Sequence, residues 1–144
     1  MQYRRAAFVF VSAYIAISVL AFWLYLVIVW ADGSTMAPSS AIVHDRLYIL
    51  SEKLSPLLNL LVWTAFGWIY FKRVEPTPAA AWRLSSCWLA VVLPLDLVVF
   101  VLAKTPLSIS AHDFYVGQFP WIYLTYATVV LGPVVGAWLR RVTA

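Results

Sequence analysis

One carboxylic side chain, Asp96, lies inside a long apolar stretch of the sequence, where a charge is costly to bury. A carboxyl group in a hydrocarbon layer either hydrogen-bonds to a partner or exchanges its proton for a cation. Pro94, two residues earlier, lacks a backbone N–H and so frees a carbonyl for other hydrogen bonds. Asp96 is therefore the first candidate for a binding residue.

Each of the four apolar stretches is expected to place one polar side chain at the depth of Asp96. Each side chain lies eleven to thirteen residues from the end of its stretch that faces the side of the two chain termini. That end is the start of the first and third stretches and the finish of the second and fourth. At ~1.5 Å of helical rise per residue, that depth is about 16–20 Å. The four residues of this predicted layer are Ser18, Asn59, Asp96 and Tyr126.

A polar stripe leads to that layer along the second apolar stretch. Asp45, Tyr48, Glu52, Ser55 and Asn59 follow the i, i+3, i+7, i+10, i+14 spacing of one helical face. We expect a helix to restart near the proline at position 56, with Ser55 as its cap.

The stripe and the layer together predict a polar pocket that opens outward and ends at Asp96. The predicted ligand is a small amphipathic or cationic solute, or a lipid. An alternative is that Asp96 is protonated and bonded to Asn59 or a tyrosine, and only fixes helix packing. The predicted ligand-binding residues are Ser18, Tyr48, Glu52, Asn59, Asp96, Gln118 and Tyr126.

Both histidines of the chain are followed by an aspartate, giving the pairs His44–Asp45 and His112–Asp113 outside the apolar stretches. Imidazole and carboxylate ligate divalent metals, and an Asp can also orient a His for acid–base chemistry. The spacing matches no HxxxH or HExxH motif. The competing interpretation is that the histidines are solvated and the two aspartates cap helices or pair with Arg46 and Lys104. Apart from this possible metal, no cofactor is predicted.

These candidate residues must be positioned by membrane-spanning helices. Hydrophobic residues make up 64% of the 144-residue chain and charged residues 11%, whereas soluble domains carry about 25% charged residues. About 20 apolar residues cross a hydrocarbon layer of ~30 Å, and only helices satisfy their backbone there. The sequence predicts an all-α, single-domain, four-helix membrane bundle with spans near residues 6–30, 52–71, 84–103 and 120–139.

Basic residues near the ends of the stretches predict the orientation. Seven lie at the end that carries both termini and three at the other: Arg4, Arg5, Lys72, Arg73, Arg83, Arg140 and Arg141 against Arg46, Lys53 and Lys104. This asymmetry predicts that both termini are cytoplasmic, and we expect a bacterial inner membrane. The net charge of +4 thus belongs to the span ends and does not indicate nucleic-acid binding.

Three classes of function remain open. The first is binding, and translocation, of the ligand at Asp96. The second is a non-catalytic subunit or assembly factor of a larger membrane complex, and the third is a metal-assisted membrane enzyme that uses the His–Asp pairs. The chain has no Gly-rich phosphate loop and no GxSxG motif, which disfavours most enzyme classes. Gly132 and Gly136 form a GxxxG motif that favours packing within the chain over a homodimer.

Overall fold

The computed structural model describes residues 2–36, 45–103 and 108–143. Within these ranges four long helices account for most of the chain: α1 (Tyr3–Asp32), α2 (Arg46–Phe71), α3 (Pro78–Asp96) and α4 (Trp121–Val142). Two short π-helical segments lie between α3 and α4, at Leu97–Leu102 and Asp113–Gly117. The described residues contain no strand, so the predicted all-α class is confirmed.

In the described part of the chain, four helices are long and apolar enough to cross a membrane: Tyr3–Asp32, Arg46–Phe71, Pro78–Leu102 and Trp121–Val142. Each overlaps one of the predicted spans, and the helices extend beyond most of the predicted limits. At the starts of α2 and α3, a capping side chain marks the extended end. Asp45 caps α2 by accepting from the backbone N–H of Tyr48, and Thr77 caps α3 by accepting from that of Ala80.

The expected helix restart near Pro56 is wrong. α2 continues through Pro56 without interruption, and Ser55 accepts a hydrogen bond from the Asn59 side chain within the same helix. A proline at this position has no N–H to donate to the Glu52 carbonyl, four residues earlier. The Nδ2 of Asn59 donates to the neighbouring Ser55 carbonyl at 2.9 Å, within the same helix.

The most extensive helix pair is α2 with α4. The two run parallel, because Trp63 faces Gly132 and Trp68 faces Gly136, so residue numbers increase together. A Cβ on Gly132 would lie 2.4 Å from the Cβ of Trp63, and one on Gly136 would lie 2.6 Å from the Trp68 nitrogen. The GxxxG motif therefore packs α4 against α2, as the sequence favoured.

α1 packs on α2 and α3 packs on α4, and side chains connect α1 to α3. Trp88 of α3 donates its indole N–H to the carbonyl of Ala6 at 3.2 Å. Eight residues further along both helices, Tyr14 of α1 donates to Asp96 of α3 at 2.7 Å. Both bonds join residues 82 apart, so α1 and α3 run parallel with one register.

Between these two bonds lies an aromatic layer that fills the centre of the bundle. Phe10 stacks on Tyr14 and Trp63, at centroid distances of 6.0 and 5.7 Å. Trp63 also packs on Trp88 at 5.3 Å, and both indoles are almost fully buried. This layer separates Asp96 from the end of the bundle that carries the termini.

Candidate functional site

Asp96 is buried where α3 ends and the first π-helical segment begins, with 8% of its surface exposed. Its Oδ1 accepts the Tyr14 hydroxyl at 2.7 Å, a length typical of a strong hydrogen bond. Asp96 thus faces its neighbouring helices and not the outer surface of the bundle. Of the two alternatives raised for its partner, Asn59 or a tyrosine, the structure supplies a tyrosine.

Tyr126 of α4 is the second phenol beside Asp96. Its ring is buried, and its hydroxyl interacts electrostatically with the Asp96 carboxyl. That hydroxyl has no hydrogen-bond partner of good geometry among the described residues. A phenol both donates and accepts, so Tyr126 retains hydrogen-bonding capacity next to the carboxyl. A buried group with unused capacity is a candidate for contact with a ligand or water.

Tyr115, in the second π-helical segment, is a third phenol near the site. Burial raises the pKa of Tyr115, and the negative charge that Asp96 carries when ionised raises it further. The segment is held in place by Phe114, which stacks on Phe100 of the first π-helical segment at 5.7 Å. Single π-helical turns occur often at functional sites. Here two of them border the same carboxyl group.

The predicted stripe on α2 does face the bundle interior. Of its members, Ser55 and Asn59 are buried, at 8% and 3% exposure, and Asp45, Tyr48 and Glu52 are partly buried. Ser51, which the prediction did not include, is also buried, at 4% exposure. Their hydrogen bonds run largely within α2: Ser51 donates to the Tyr48 carbonyl at 2.7 Å, and Asn59 donates to Ser55. The stripe is therefore a closed polar seam along α2.

At the outer end of the seam, Tyr48 and Gln118 lie together, as expected from the sequence. The Gln118 side-chain amide donates to the Tyr48 hydroxyl at 3.1 Å. The same hydroxyl interacts with the half-buried carboxyl group of Glu52, one turn deeper. Tyr25 of α1 stacks edge-on against Tyr48 and donates to Asp45 at 3.3 Å. These residues join α1, α2 and the segment before α4 above Asp96.

Ser18 does not join the other predicted residues. Its side chain is exposed, and its hydroxyl donates to the Tyr14 carbonyl of its own helix at 2.9 Å. Tyr14 reaches Asp96 instead, one turn nearer the start of α1. Tyr14 and Ser18 are four residues apart, so the predicted layer residue of α1 lies one turn away from the side chain that contacts Asp96. Counting residues gives the depth of Cα atoms, whereas a long Tyr side chain carries its hydroxyl several ångströms from its Cα.

Of the two His–Asp pairs, the structure describes the second completely and the first only at its aspartate. His44 lies outside the described residues, and Asp45 caps α2. The Nδ1 of His112 lies 3.6 Å from Oδ1 of Asp113, whose other carboxylate oxygen accepts from Ser110 at 2.8 Å. Within the described ranges, no three His, Cys, Asp or Glu side chains lie close enough to hold a metal ion. The metal site formed by both pairs stays a prediction.

Among the open depressions on the surface of the described residues, two are considered as candidate sites, and Asp96 borders neither of them. One, of about 460 Å³, is bordered by Asp32, Arg46 and Lys53 together with apolar residues of α2. The other, of about 520 Å³, lies between the start of α1 and the start of α3.

No protein family, curated protein or solved structure matches this chain.

Proposed function

We propose that this protein binds a small amphipathic cation at Asp96 and carries it across a membrane in exchange for a proton. The observation that supports the proposal is the carboxyl group of Asp96, buried among four apolar helices and facing Tyr14 and Tyr126. An ionisable group at such a depth is costly and marks a functional site by default. A single carboxyl group that is either protonated or paired with a cation is the simplest way to couple cation transport to proton transport.

The aromatic surroundings of Asp96 suit an organic cation better than a metal ion. Tyr14 and Tyr126 lie beside the carboxyl, Tyr115 lies within range of its charge, and Phe10 stacks on Tyr14. Aromatic faces attract cations, most strongly where water is excluded. Metal ions of the Mg²⁺ and Ca²⁺ kind require several oxygen ligands, and Asp96 is a single carboxylate.

Entry is proposed to follow the polar seam on α2 from the end that carries Gln118. Glu52 and Tyr48 would be the first groups that the cation meets, and Asn59 lies further in. In the structure the seam is closed by hydrogen bonds within α2 and by the Gln118–Tyr48 bond. Passage therefore requires a second conformation, in which Gln118 and Tyr48 separate, as alternating access requires.

The test uses purified protein in liposomes with ethidium, an aromatic amphipathic cation, as the probe. A pH gradient across the liposome membrane should drive ethidium accumulation, reported by its fluorescence, while an internal pH dye reports proton movement. In Asp96→Asn we expect both signals to fall to the level of protein-free liposomes. The amide keeps the shape of the side chain and its hydrogen-bonding capacity but cannot exchange a proton.

The matched control is Asp113→Asn, which makes the same chemical change in a segment between the candidate spans. This variant should keep wild-type flux. Unchanged flux in Asp96→Asn, or equal losses in both variants, would reject the proposal. Elution as a single folded species on size exclusion shows that a loss of flux is not a loss of fold.

A second candidate is a non-catalytic subunit of a larger membrane complex. It is favoured by α1, the least buried of the four candidate spans, whose exposed face carries large aromatic side chains. These include Phe8, Trp23 and Trp30, at 75%, 58% and 82% exposure. This candidate predicts that a partner protein co-purifies in mild detergent and dissociates when Trp23 is changed to Glu. A monodisperse particle of one chain type would count against it.

A further inference from the structure

A groove lies at the end of the bundle that carries the termini, between the first turn of α1 and the first turns of α3. It measures about 520 Å³ and is lined by Tyr3, Trp82, Arg83, Ser86 and Cys87. Its position follows from the shared register of α1 and α3. The bond from Trp88 to Ala6 ties the two helices together just beyond Cys87, and nearer the termini the groove lies between them.

Arg83 is the charged group of this groove. Its side chain is exposed, and it forms no hydrogen bond or ion pair with another residue of the described ranges. By contrast, Arg5 and Arg141 at the same end donate to backbone carbonyls, of Ile69 and Pro76. The Arg83 guanidinium therefore has its donors unused, and its planar fork matches phosphate oxygens.

The other groove residues add what an amphipathic anion needs. Ser86 and Tyr3 carry hydroxyl groups that can donate to phosphate, and the Trp82 indole, 53% exposed, is a typical residue of the membrane interface. Arg83 directly precedes Leu84, where the apolar part of the third span begins. This places the guanidinium at headgroup depth, with hydrocarbon on its inner side.

The surrounding charge also favours an anion. Seven of the ten basic residues lie at this end of the bundle by chain position, with a single acidic residue, Glu75. A cluster of juxtamembrane basic residues attracts anionic lipid headgroups, at about 1 kcal/mol per Lys or Arg. The attraction brings an anionic lipid to this end, and the groove supplies a specific place for its phosphate.

We infer that the groove between α1 and α3 binds the headgroup of one anionic phospholipid, with Arg83 on the phosphate and Ser86 and Tyr3 as hydroxyl donors. The lipid's acyl chains would extend from the groove towards the centre of the membrane, along α1 and α3. The site is distinct from Asp96, on the far side of the Phe10–Trp63–Trp88 layer, and does not depend on the proposed transport.

The test is native mass spectrometry of the full chain in detergent, with phosphatidylglycerol and phosphatidylcholine supplied in equal amounts. The wild-type protein should retain one phosphatidylglycerol under collision energies that remove phosphatidylcholine. In Arg83→Gln the fraction of chains carrying phosphatidylglycerol should fall about tenfold, since one charge-assisted contact is removed. In Ser86→Ala it should fall about threefold.

The matched control is Arg73→Gln, which removes one exposed positive charge from the same end of the bundle but outside the groove. It should change the bound fraction less than twofold. Equal losses in Arg73→Gln and Arg83→Gln would show a non-specific charge effect and overturn the inference, as would equal retention of the two lipids. Displacement of phosphatidylglycerol by the same concentration of glycerol 3-phosphate would identify a soluble phosphate as the ligand and also overturn it.

The result remains decisive if Arg83→Gln fails to fold, because Ser86 is exposed and its change to Ala is mild. Wild-type binding in Ser86→Ala together with wild-type binding in Arg83→Lys would contradict the assignment. Lys keeps the charge but loses the planar fork. If Arg83 makes two parallel hydrogen bonds to one phosphate, Arg83→Lys should therefore bind the lipid more weakly.

Discussion

The proposed function depends most on one contact between side chains, the hydrogen bond from Tyr14 to Asp96. It joins α1 to α3 within the candidate membrane-spanning region, at 2.7 Å. Double-mutant cycles on such interhelical bonds in membranes give about 0.6 kcal/mol on average and up to about 1.7 kcal/mol. The Tyr14–Asp96 bond belongs towards the upper part of that range because it is short and its acceptor is a carboxyl group.

We therefore predict a coupling energy of about 1 kcal/mol between Tyr14→Phe and Asp96→Ala. The measurement is unfolding of the four proteins of the cycle by sodium dodecyl sulfate, followed by circular dichroism. Tyr123 provides the control, since its side chain on α4 is half exposed. Tyr123→Phe and Asp96→Ala should be additive to within about 0.5 kcal/mol. Additivity in the Tyr14 cycle would mean that the bond contributes nothing to the fold.

Sequence reasoning singled out Asp96 and named Asn59 or a tyrosine as its partner, but it did not identify Tyr14 as that tyrosine. Asp96 stands out because a carboxyl group within an apolar run is costly to bury and therefore rare. Its position in the sequence is enough to identify it. Tyr14 does not stand out in the same way, because tyrosines are common at membrane interfaces and the sequence has eight of them. Its partner is fixed by the register of α1 against α3, which depends on packing between residues 82 apart.

Among the helices, the parallel pair of α2 and α4 is the most extensively packed. Gly132 lets the two backbones approach so closely that a Cβ there would lie 2.4 Å from Trp63 Cβ and 2.8 Å from its carbonyl carbon. Backbone atoms cannot move aside as flexible side chains can. The approach is therefore possible only with glycine at this position.

Gly132→Ala should destabilise the protein by about 1–3 kcal/mol, as overpacking of a well-packed interior usually does. Gly117→Ala is the matched control, because a Cβ on Gly117 would meet Asp113 Cβ at an ordinary 3.7 Å. The control should change stability by no more than about 0.5 kcal/mol. The same unfolding assay measures both, and equal stability of the two variants would show that α2 and α4 are less closely packed than described.

The helices themselves were predictable, and the segments between them were not. Long apolar runs allow only helices in a membrane, so four helices follow from composition and length. The π-helical segments after Asp96 and before Gln118 carry no comparable signal. They depend on tertiary contacts such as the Phe100–Phe114 stack and the bond from the Ile109 N–H to the Phe100 carbonyl at 2.9 Å.

For the whole molecule, four spans would place both termini on one side of the membrane, and the excess of basic residues there predicts the cytoplasmic side. Fusion of green fluorescent protein to the C-terminus should give fluorescent cells, whereas fusion of alkaline phosphatase at that point should give no activity. Alkaline phosphatase fused after residue 36, beyond α1, should be active. Phosphatase activity at the C-terminus would contradict the predicted orientation.

The central claim is that Asp96 holds a proton when the site is empty and releases that proton to water when a cation binds in its place. Infrared difference spectroscopy of the purified protein, recorded before and after ethidium addition, tests this directly by following the C=O band of a protonated carboxyl group. The claim predicts that this band is lost on saturation in the wild-type protein and in Asp113→Asn, and that no such loss occurs in Asp96→Asn. Saturation with ethidium while the band stays unchanged, or the same loss in Asp96→Asn, would contradict it.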